Sequence, residues 1–233
     1  MNADERFKEL LQDTIDYIKT GFRTNRPRAA GEPHAEKWET RKDQTRGYDS
    51  SIDETIRSCT KCRLHEQRRN AVPGMGNTDA DIMFIGEGPG EQEDIQGLPF
   101  VGKAGQLLTK MLAAIQLKRE EVYITNVVKC RPPGNRAPLP DEVDACFPYL
   151  KRQIDTIRPR IIVCLGGPAI KTMLNSNLGI TKLRGQIHRF DEIPMIATYH
   201  PAAVLRFPER YKRDVWNDLK LLRDFYRDLR SQL

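Results

Sequence analysis

From about residue 51 onward, the apolar residues of this chain form two kinds of segment. Four short apolar runs without polar alternation predict strands that are covered on both faces: Ile82–Ile85, Val122–Val127, Ile161–Leu165 and Met195–Thr198. Longer segments with helical spacing predict helices over Gly105–Ile115, Pro140–Thr156, Pro168–Leu174 and Pro208–Leu229. The alternation of the two predicts an α/β fold, in which a parallel sheet lies between two layers of helices.

The first 50 residues have a different pattern. Residues 3–20 show the apolar spacing of an amphipathic helix, and Gly21 is a suitable end for it. Residues 22–50 are rich in Arg, Gly, Pro, Glu and Thr and contain few apolar residues, which predicts a flexible linker. We therefore divide the chain into an N-terminal helix and linker over residues 1–50, whose role stays open, and a folded body over residues 51–233.

The composition and the charge indicate which cellular compartment and which kind of partner to expect for this protein. No apolar stretch approaches the length of a membrane span, and the charged N-terminus lacks the features of a signal peptide, so we expect a cytoplasmic, monomeric protein. The net charge is +6, and residues 1–58 hold 11 Lys and Arg against 12 Asp and Glu, so the positive excess lies in the body. This excess favours a polyanion such as nucleic acid, although a role in solubility fits the charge equally well.

Four cysteines have the spacing of a metal site. Cys59 and Cys62 form a C-x2-C pair, and Cys130 and Cys146 follow as two distant single cysteines. In a reducing compartment this arrangement favours a tetrathiolate metal site over disulfides. The fifth cysteine, Cys164, lies inside an apolar run, and we interpret it as a core residue.

A glycine-rich acidic loop follows the first predicted strand, in the segment GEGPGEQED over residues 86–94. Ligand sites in such sheets usually lie at the carboxyl ends of the strands. The loop is neither a dinucleotide fingerprint nor a P-loop, since Glu91 replaces the last glycine and no Lys-Ser/Thr pair is present. A carboxylate here can orient a water or stabilise a developing cation, whereas the simpler interpretation is an acidic turn that caps the next helix.

Three further residues have two interpretations each. Phe100 lies between turn residues and fits either the core or a stacking platform for a flat base. Asn126 interrupts a buried strand, where its carboxamide either bonds nearby backbone or reads the edge of a pyrimidine. His200 follows the last predicted strand and precedes a proline, so it fits a ligand contact as well as a structural role.

Together the motifs resemble the family 4, iron–sulfur uracil-DNA glycosylases. The resemblance is carried by CTKCRLHEQR, VPGMG, GEGPGEQED, GLPFVGKAGQLL, YITNVVKCRPPGNR, IIVCLGGPA and HPAAVLR, in this order over roughly residues 55–228. It implies a three-layer α/β/α fold with a four-stranded, mostly parallel central sheet. It also implies a [4Fe–4S] cluster held by Cys59, Cys62, Cys130 and Cys146, within a glycosylase catalytic domain over residues 51–233.

The resemblance also implies roles for the candidate residues. Glu87 would serve the catalytic water, and the backbone of Gly86 and Gly88 would contact the uracil. Phe100 would stack on the flipped base. Asn126 would read the uracil edge, and His200 would stabilise negative charge on uracil O2. The sequence does not separate Glu87 from Asp94 as the main carboxylate that orients the water.

The function implied is hydrolysis of the N-glycosidic bond of uracil in DNA, double- or single-stranded, which leaves an abasic site for DNA repair. The segment Val204–Arg206 is a candidate to fill the gap left by the flipped base. Possible phosphate contacts are Lys103, Lys129, Arg131, Arg136 and Arg206. Two alternatives remain: a related uracil-DNA-binding protein that captures uracil without turnover, and a zinc-stapled nucleic-acid-binding module.

Overall fold

The computed structural model describes residues 50–231. The predicted helix over residues 3–20 and all but the last residue of the predicted linker over residues 22–50 lie outside the described residues. Within the described part, no helix combines the length and the apolar character that a membrane span requires.

The described chain forms one six-stranded sheet. Its strands are β1 (Met75–Gly76), β2 (Ile82–Gly86), β3 (Tyr123–Asn126), β4 (Ile161–Leu165), β5 (Ile187–Phe190) and β6 (Ile193–Thr198). The order across the sheet is β1-β3-β2-β4-β6-β5. The four inner strands are parallel, whereas β1 and β5 pair antiparallel with β3 and β6 at the two edges. The α/β fold and the parallel core are confirmed, and the sheet has six strands where four were expected.

The two added strands carry little sequence signal. Strand β1 is only two residues long and ends in Gly76. Strand β5 has the sequence IHRF and is only partly covered, so it lacks a continuous apolar run. Short antiparallel strands of this kind commonly close the edges of a mainly parallel sheet.

Eight helices occur within residues 50–231: α1 (Ser51–Arg57), α2 (Glu91–Gln96), α3 (Lys103–Ala114), α4 (Pro140–Ile157), α5 (Gly167–Leu174), α6 (Ile180–Leu183), α7 (Pro201–Arg206) and α8 (Pro208–Ser231). Short 3-10 turns cover Arg63–Glu66, Arg119–Glu121 and Pro133–Asn135. The four predicted helices correspond to α3, α4, α5 and α8, and their ends agree within the usual uncertainty of a helix boundary.

The helices cover both faces of the sheet, which gives the three expected layers. On one face, Met83 and Ile85 of β2 belong to an apolar cluster that includes Ile52 of α1 and Leu150 of α4. On the other face, the alternate residues of β2 pack in a second cluster with α3 and α8. Because both faces are covered, the inner strands are mainly apolar, as their sequences predicted, and Thr125 and Asn126 of β3 are buried polar exceptions. Cys164 is fully buried in the first cluster, as expected of a core residue.

Parallel pairing brings the carboxyl ends of the inner strands to one edge of the sheet. Gly86, the last residue of β2, is in register with Asn126, the last residue of β3. Strand β6 ends at Thr198, two residues before His200, which is the N-cap of α7. Residues that are far apart in sequence therefore meet at this edge.

Candidate active site and cluster cavity

A cavity of about 380 Å³ opens where β2, β3 and β6 end. Its lining includes five of the predicted site residues: Glu87, Gly88, Phe100, Asn126 and His200. Gly86 lies beside the cavity, in van der Waals reach of both the Asn126 carboxamide and the Phe100 ring. The structure thus brings together every residue that the sequence proposed for catalysis or substrate binding.

Asn126 presents an unpaired group to this cavity. The residue is 1% exposed, and its Oδ1 is buried without a hydrogen-bond partner among the described residues. Buried carboxamide oxygens in proteins are almost always hydrogen-bonded, because an unpaired polar atom costs free energy. A missing partner on a cavity wall therefore points to a ligand that donates a hydrogen bond at this position.

Phe100 lies beside Gly86 at the end of β2, in a backbone conformation that is uncommon for an aromatic residue. Its φ angle is +52°, and its ring centroid lies 5.5 Å from that of His200, with the two planes tilted by 33°. The conformation is held from both sides: Glu93 Oε1 accepts the N–H groups of Val101 and Gly102 at 2.9 and 2.8 Å, and the guanidinium of Arg119 donates to the Pro99 carbonyl. Such a conformation persists only where its surroundings determine it.

His200 is fixed in one tautomer. Its Nδ1 accepts the N–H of Ala202 at 3.1 Å, so the proton of the neutral ring lies on Nε2. Burial lowers the pKa of His200 to about 4, and the nearby Glu93 carboxylate opposes this only in part. At neutral pH the ring is therefore an uncharged hydrogen-bond donor.

The two candidate carboxylates lie in different surroundings. Glu87 lines the cavity, and burial raises the pKa of its carboxyl. Asp94 is 3% exposed, and its Oδ1 accepts the N–H groups of Arg69 and Asn70 at 2.9 and 3.4 Å. Asp94 thus fastens α2 to the preceding segment and is absent from the cavity lining, which leaves Glu87 as the carboxylate that faces a ligand.

The four predicted metal ligands line a second, smaller cavity on the other side of β3: Cys59, Cys62, Cys130 and Cys146. N–H groups point at three of the sulfurs. Arg68 Nη1 lies 3.1 Å from Cys130 Sγ, and the backbone nitrogens of Lys129 and Lys61 lie 3.3 and 3.5 Å from the Sγ atoms of Cys146 and Cys59. Cys164 takes no part, because its Sγ lies 3.4 Å from Met195 Sδ within the core.

The donor set of this cavity suits an iron–sulfur cluster. Four soft sulfur donors with N–H groups directed at them are typical of such sites. Among residues 50–231, no group of three or more His, Cys, Asp or Glu side chains is arranged to hold a metal ion. Burial raises the pKa of Cys146 to about 11 and also raises those of Cys62 and Cys130, so a positively charged group is needed to hold these sulfurs as thiolates.

Comparison with known proteins decides the family. The model of the uracil DNA glycosylase superfamily matches residues 73–220. A type-4 uracil-DNA glycosylase of Archaeoglobus fulgidus is 49% identical over 178 residues, which cover 70% of this chain and 89% of that protein. The chain belongs to the type-4 uracil-DNA glycosylases.

Two further type-4 uracil-DNA glycosylases show the same degree of similarity. That of Saccharolobus solfataricus is 52% identical over 166 residues, 67% of this chain and 77% of the relative. That of Thermotoga maritima is 45% identical over 177 residues, 75% of this chain and 92% of the relative. The family resemblance inferred from the motifs is therefore confirmed.

Within this type-4 fold, one predicted phosphate contact is wrong. The side chain of Lys129 is completely buried, so it cannot reach DNA. Arg136 lines the cavity but donates two hydrogen bonds to the buried carboxylate of Glu142, at 2.8 and 2.6 Å. Lys103 and Arg206 are exposed, and Arg131 is half-buried beside Asn135, so these three remain available.

The residues of the segment Val204–Arg206 differ in their exposure to solvent. Val204 is 3% exposed and packs in the core, whereas Leu205 is 41% exposed next to Arg206, which lines the cavity mouth. Within the segment Val204–Arg206, Leu205 is thus the apolar side chain that is free to enter a base stack.

Sequence reasoning missed two residues that shape the site, Glu93 and Arg119. The sequence places Glu93 in the acidic loop without a role of its own, yet its carboxylate accepts the N–H groups of Val101 and Gly102 and also that of Gly90, at 3.2 Å. Its position, third in the helix after the cap Gly90, is a known capping signal that could have identified it. Arg119 had no comparable local signal.

Proposed function

We propose that this chain binds a uracil base flipped out of DNA in the cavity at the ends of β2, β3 and β6 and hydrolyses its N-glycosidic bond. The single observation that carries the proposal is the unpaired, buried Oδ1 of Asn126, which shares a cavity with the Nε2–H of a neutral His200. The Asn126 Oδ1 can accept a hydrogen bond from the N3–H of uracil, and the His200 Nε2–H can donate one to uracil O2.

Base flipping precedes the chemistry. The target base cannot be reached inside a duplex, and its extrusion costs a few kcal/mol of lost stacking and pairing. Stacking on Phe100 would recover about 1–3 kcal/mol of this cost. The exposed Leu205 would fill the gap that the base leaves, while Arg206, Arg131 and Lys103 would contact phosphates.

Bond cleavage separates charge, and the cavity offers groups for both ends. Negative charge develops on the uracil, where the Nε2–H of His200 would donate to O2. Positive charge develops on the sugar, where the carboxylate of Glu87 would both stabilise the cation and orient the attacking water. Because His200 is already uncharged, it acts as a fixed hydrogen-bond donor to the anion and has no need to transfer a proton.

Selection of uracil follows from the orientation of Asn126. With its Oδ1 accepting from N3–H, its Nδ2 group is the donor for uracil O4. Cytosine presents an acceptor at N3 and a donor at C4. Two acceptors would therefore face each other at N3, and two donors would face each other at C4. A site built around such hydrogen bonds rejects the wrong base strongly, because buried polar groups are left unpaired.

Cys59, Cys62, Cys130 and Cys146 would hold a [4Fe–4S] cluster, which would supply a rigid link between the start of the fold and the loop after β3. Cys130 and Cys146 flank the segment 131–139, part of which lines the active-site cavity. We propose that residues 51–233 form the catalytic domain, that residues 1–50 are an extension outside it, and that uracil-containing DNA is bound by a monomer.

The test is release of free uracil from an oligonucleotide with a single uracil, followed by alkaline cleavage at the abasic site. We expect Asn126→Ala and His200→Ala each to slow release by about tenfold to a thousandfold, since one donor to a developing oxyanion contributes roughly this much. His188→Ala is the matched control, because His188 lies on the edge strand β5 and its Nε2 bonds the Leu183 carbonyl.

The outcomes separate the proposal from its alternatives. Wild-type protein that releases no more uracil than the Asn126→Ala, His200→Ala double variant contradicts the proposal. Heat-stable protein–DNA adducts without release would identify a uracil-binding protein that does not turn over. Colourless protein with bound zinc and no iron or sulfide, purified without oxygen, would favour the zinc-stapled module over the cluster.

A further inference from the structure

Lys129 is a buried cation for which the active-site chemistry above has no use. Its side chain has no exposed surface, and its ammonium donates to three oxygens: Thr125 Oγ1 at 2.6 Å, the Asn126 carbonyl at 2.7 Å and Gln153 Oε1 at 2.7 Å. An ammonium has three protons, so these bonds use all of them. All three acceptors are uncharged.

The acceptors are themselves held in place. Thr125 Oγ1 donates to the Pro73 carbonyl at 2.7 Å, and Gln153 Nε2 donates to the same carbonyl at 3.0 Å. This orients both side chains with their lone pairs toward Lys129. The network therefore satisfies the hydrogen bonds of the ammonium but does not balance its charge, and an uncompensated buried charge is costly.

The four cysteines of the second cavity lie next to Lys129. The residue lines the same cavity as the four cysteines, and its backbone N–H points at Cys146 Sγ. Lys129 also directly precedes Cys130, so the residue adjoins two of the four sulfurs. Four thiolates outweigh the positive charge of an iron–sulfur core, so the bound group would be an anion.

We propose that Lys129 is the internal counter-ion of the tetrathiolate cluster and a positioning residue that connects the cluster to Asn126. Lys129 lines the cavity of the four sulfurs, while its ammonium donates to the Asn126 carbonyl and so fixes the residue whose carboxamide faces the base. The inference rests on the proposed function, since it requires the cluster and the role of Asn126.

The first test is the one-electron reduction potential of the cluster in Lys129→Met, measured under anaerobic conditions with iron and sulfide determined on the same sample. Loss of a buried positive charge disfavours the added electron. We expect the reduction equilibrium to fall at least tenfold, which corresponds to about 59 mV in the negative direction. The control is Lys61→Met, which removes an exposed charge from the wall of the same cavity and should change the equilibrium less than about twofold, because water screens it.

Gln153→Glu tests the charge without removing the lysine. The new carboxylate still accepts from Lys129 but neutralises it, so the potential should shift in the same direction as in Lys129→Met. The bond from Lys129 to the Asn126 carbonyl remains, so uracil release should stay within about threefold of wild type, whereas Lys129→Met should lose about tenfold. Lys129→Arg keeps the positive charge, so the reduction equilibrium should stay within about twofold of wild type.

Equal potentials in wild type, Lys129→Met and Gln153→Glu would overturn the counter-ion role. If Lys129→Met does not fold, Gln153→Glu and Lys129→Arg decide by the same criteria. Equal losses of uracil release in Gln153→Glu and Lys129→Met would overturn the link to Asn126. Wild-type protein without iron and sulfide would overturn both this inference and the proposed cofactor, while uracil release from that sample would still report on the proposed reaction.

Discussion

Gly86 and Asn126 face each other in register across β2 and β3, and a Cβ atom at residue 86 would lie only 2.3 Å from Asn126 Oδ1. The same Cβ would lie 2.6 Å from Phe100 Cζ. Residue 86 must therefore be a glycine, because only a residue without a side chain leaves room for the Asn126 carboxamide and the Phe100 ring at this strand end.

Gly86→Ala should therefore abolish most activity while the fold persists. The methyl group must displace Asn126 or Phe100, and overpacking of this kind costs about 1–3 kcal/mol. We expect uracil release to fall by about a hundredfold, measured beside a thermal melt. Gly179→Ala is the control, because a Cβ at Gly179 meets nothing within 4 Å. Full activity in Gly86→Ala would mean that the cavity does not hold the base as proposed.

The pH dependence of activity should show no step at the ordinary pKa of histidine. The folded-state pKa of His200 is about 4, below the ordinary value of 6.5, so the ring stays a neutral donor throughout the range in which free histidine titrates. The rate should therefore show no step that depends on His200 between about pH 5.5 and about pH 7.5, and a fall toward lower pH should come from protonation of Glu87, whose pKa burial raises. A fall in rate centred near pH 6.5 that disappears in His200→Gln would contradict this.

The same shift predicts a direction for stability. Because the folded state binds its proton less tightly than the unfolded state, the contribution of His200 is complete above pH 6.5 and is lost as the pH falls toward about 4. The free energy of unfolding should thus decrease over this range in wild type, and less so in His200→Gln. Denaturant unfolding at several pH values measures the difference.

Glu93→Ala should impair the site through Phe100. The Glu93 carboxylate accepts the backbone N–H groups of Gly90, Val101 and Gly102, and its loss frees the segment that holds the ring. We expect kcat/KM to fall by about tenfold to a hundredfold, since charge-assisted hydrogen bonds contribute about 1.5–3 kcal/mol. Gln96→Ala on the same helix is the control, because its side chain is exposed.

A double-variant cycle separates positioning from a general loss of stability. If Glu93 acts by holding the ring, Phe100→Ala should cost much less in the Glu93→Ala background than in wild type. Additive losses would show that the two residues act independently.

Cys130→Ala should lose iron and sulfide, whereas Cys164→Ala should keep both. Cys130 lines the cluster cavity with three other cysteines, while Cys164 is buried against Met195 and does not line that cavity. Iron and sulfide per chain and the broad absorbance near about 400 nm measure occupancy. Loss of the cluster in Cys164→Ala with the fold intact would contradict the ligand assignment.

Leu205→Ala should slow excision from duplex DNA more than from single strands. An apolar wedge stabilises the gap in a base stack, and a single strand has no such gap to fill. We expect about a tenfold loss for a U·A pair and less for a U·G mismatch, which opens more easily. Leu178→Ala is the control, because it truncates another exposed leucine outside the cavity lining. Equal losses on all three substrates would exclude a wedge role.

Local sequence determined the framework of this protein. The apolar runs around Ile85 and Val163 predicted the buried inner strands, since a strand covered on both faces must be apolar throughout. The order of motifs predicted that Asn126 and His200 would serve one site, and the cysteine spacing predicted that Cys59 and Cys146 would serve another. In each case the prediction depends on a few consecutive residues or on the spacing of residues within a motif, and both can be read from the sequence.

Tertiary structure decided which partner each polar side chain meets. Lys129 appeared to be a surface cation, but Gln153, 24 residues away, accepts from it inside the core. In the sequence, Asp94 and Glu87 are equal candidates for the carboxylate that orients the water. In the fold, Asp94 accepts a hydrogen bond from the backbone N–H of Arg69, 25 residues away. Glu93 and Arg119 act on the backbone around Phe100 from opposite sides. Hydrogen bonds and charge pairs act over a few ångströms in space, and separation along the chain does not encode that distance, so only packing of the completed fold fixes these roles.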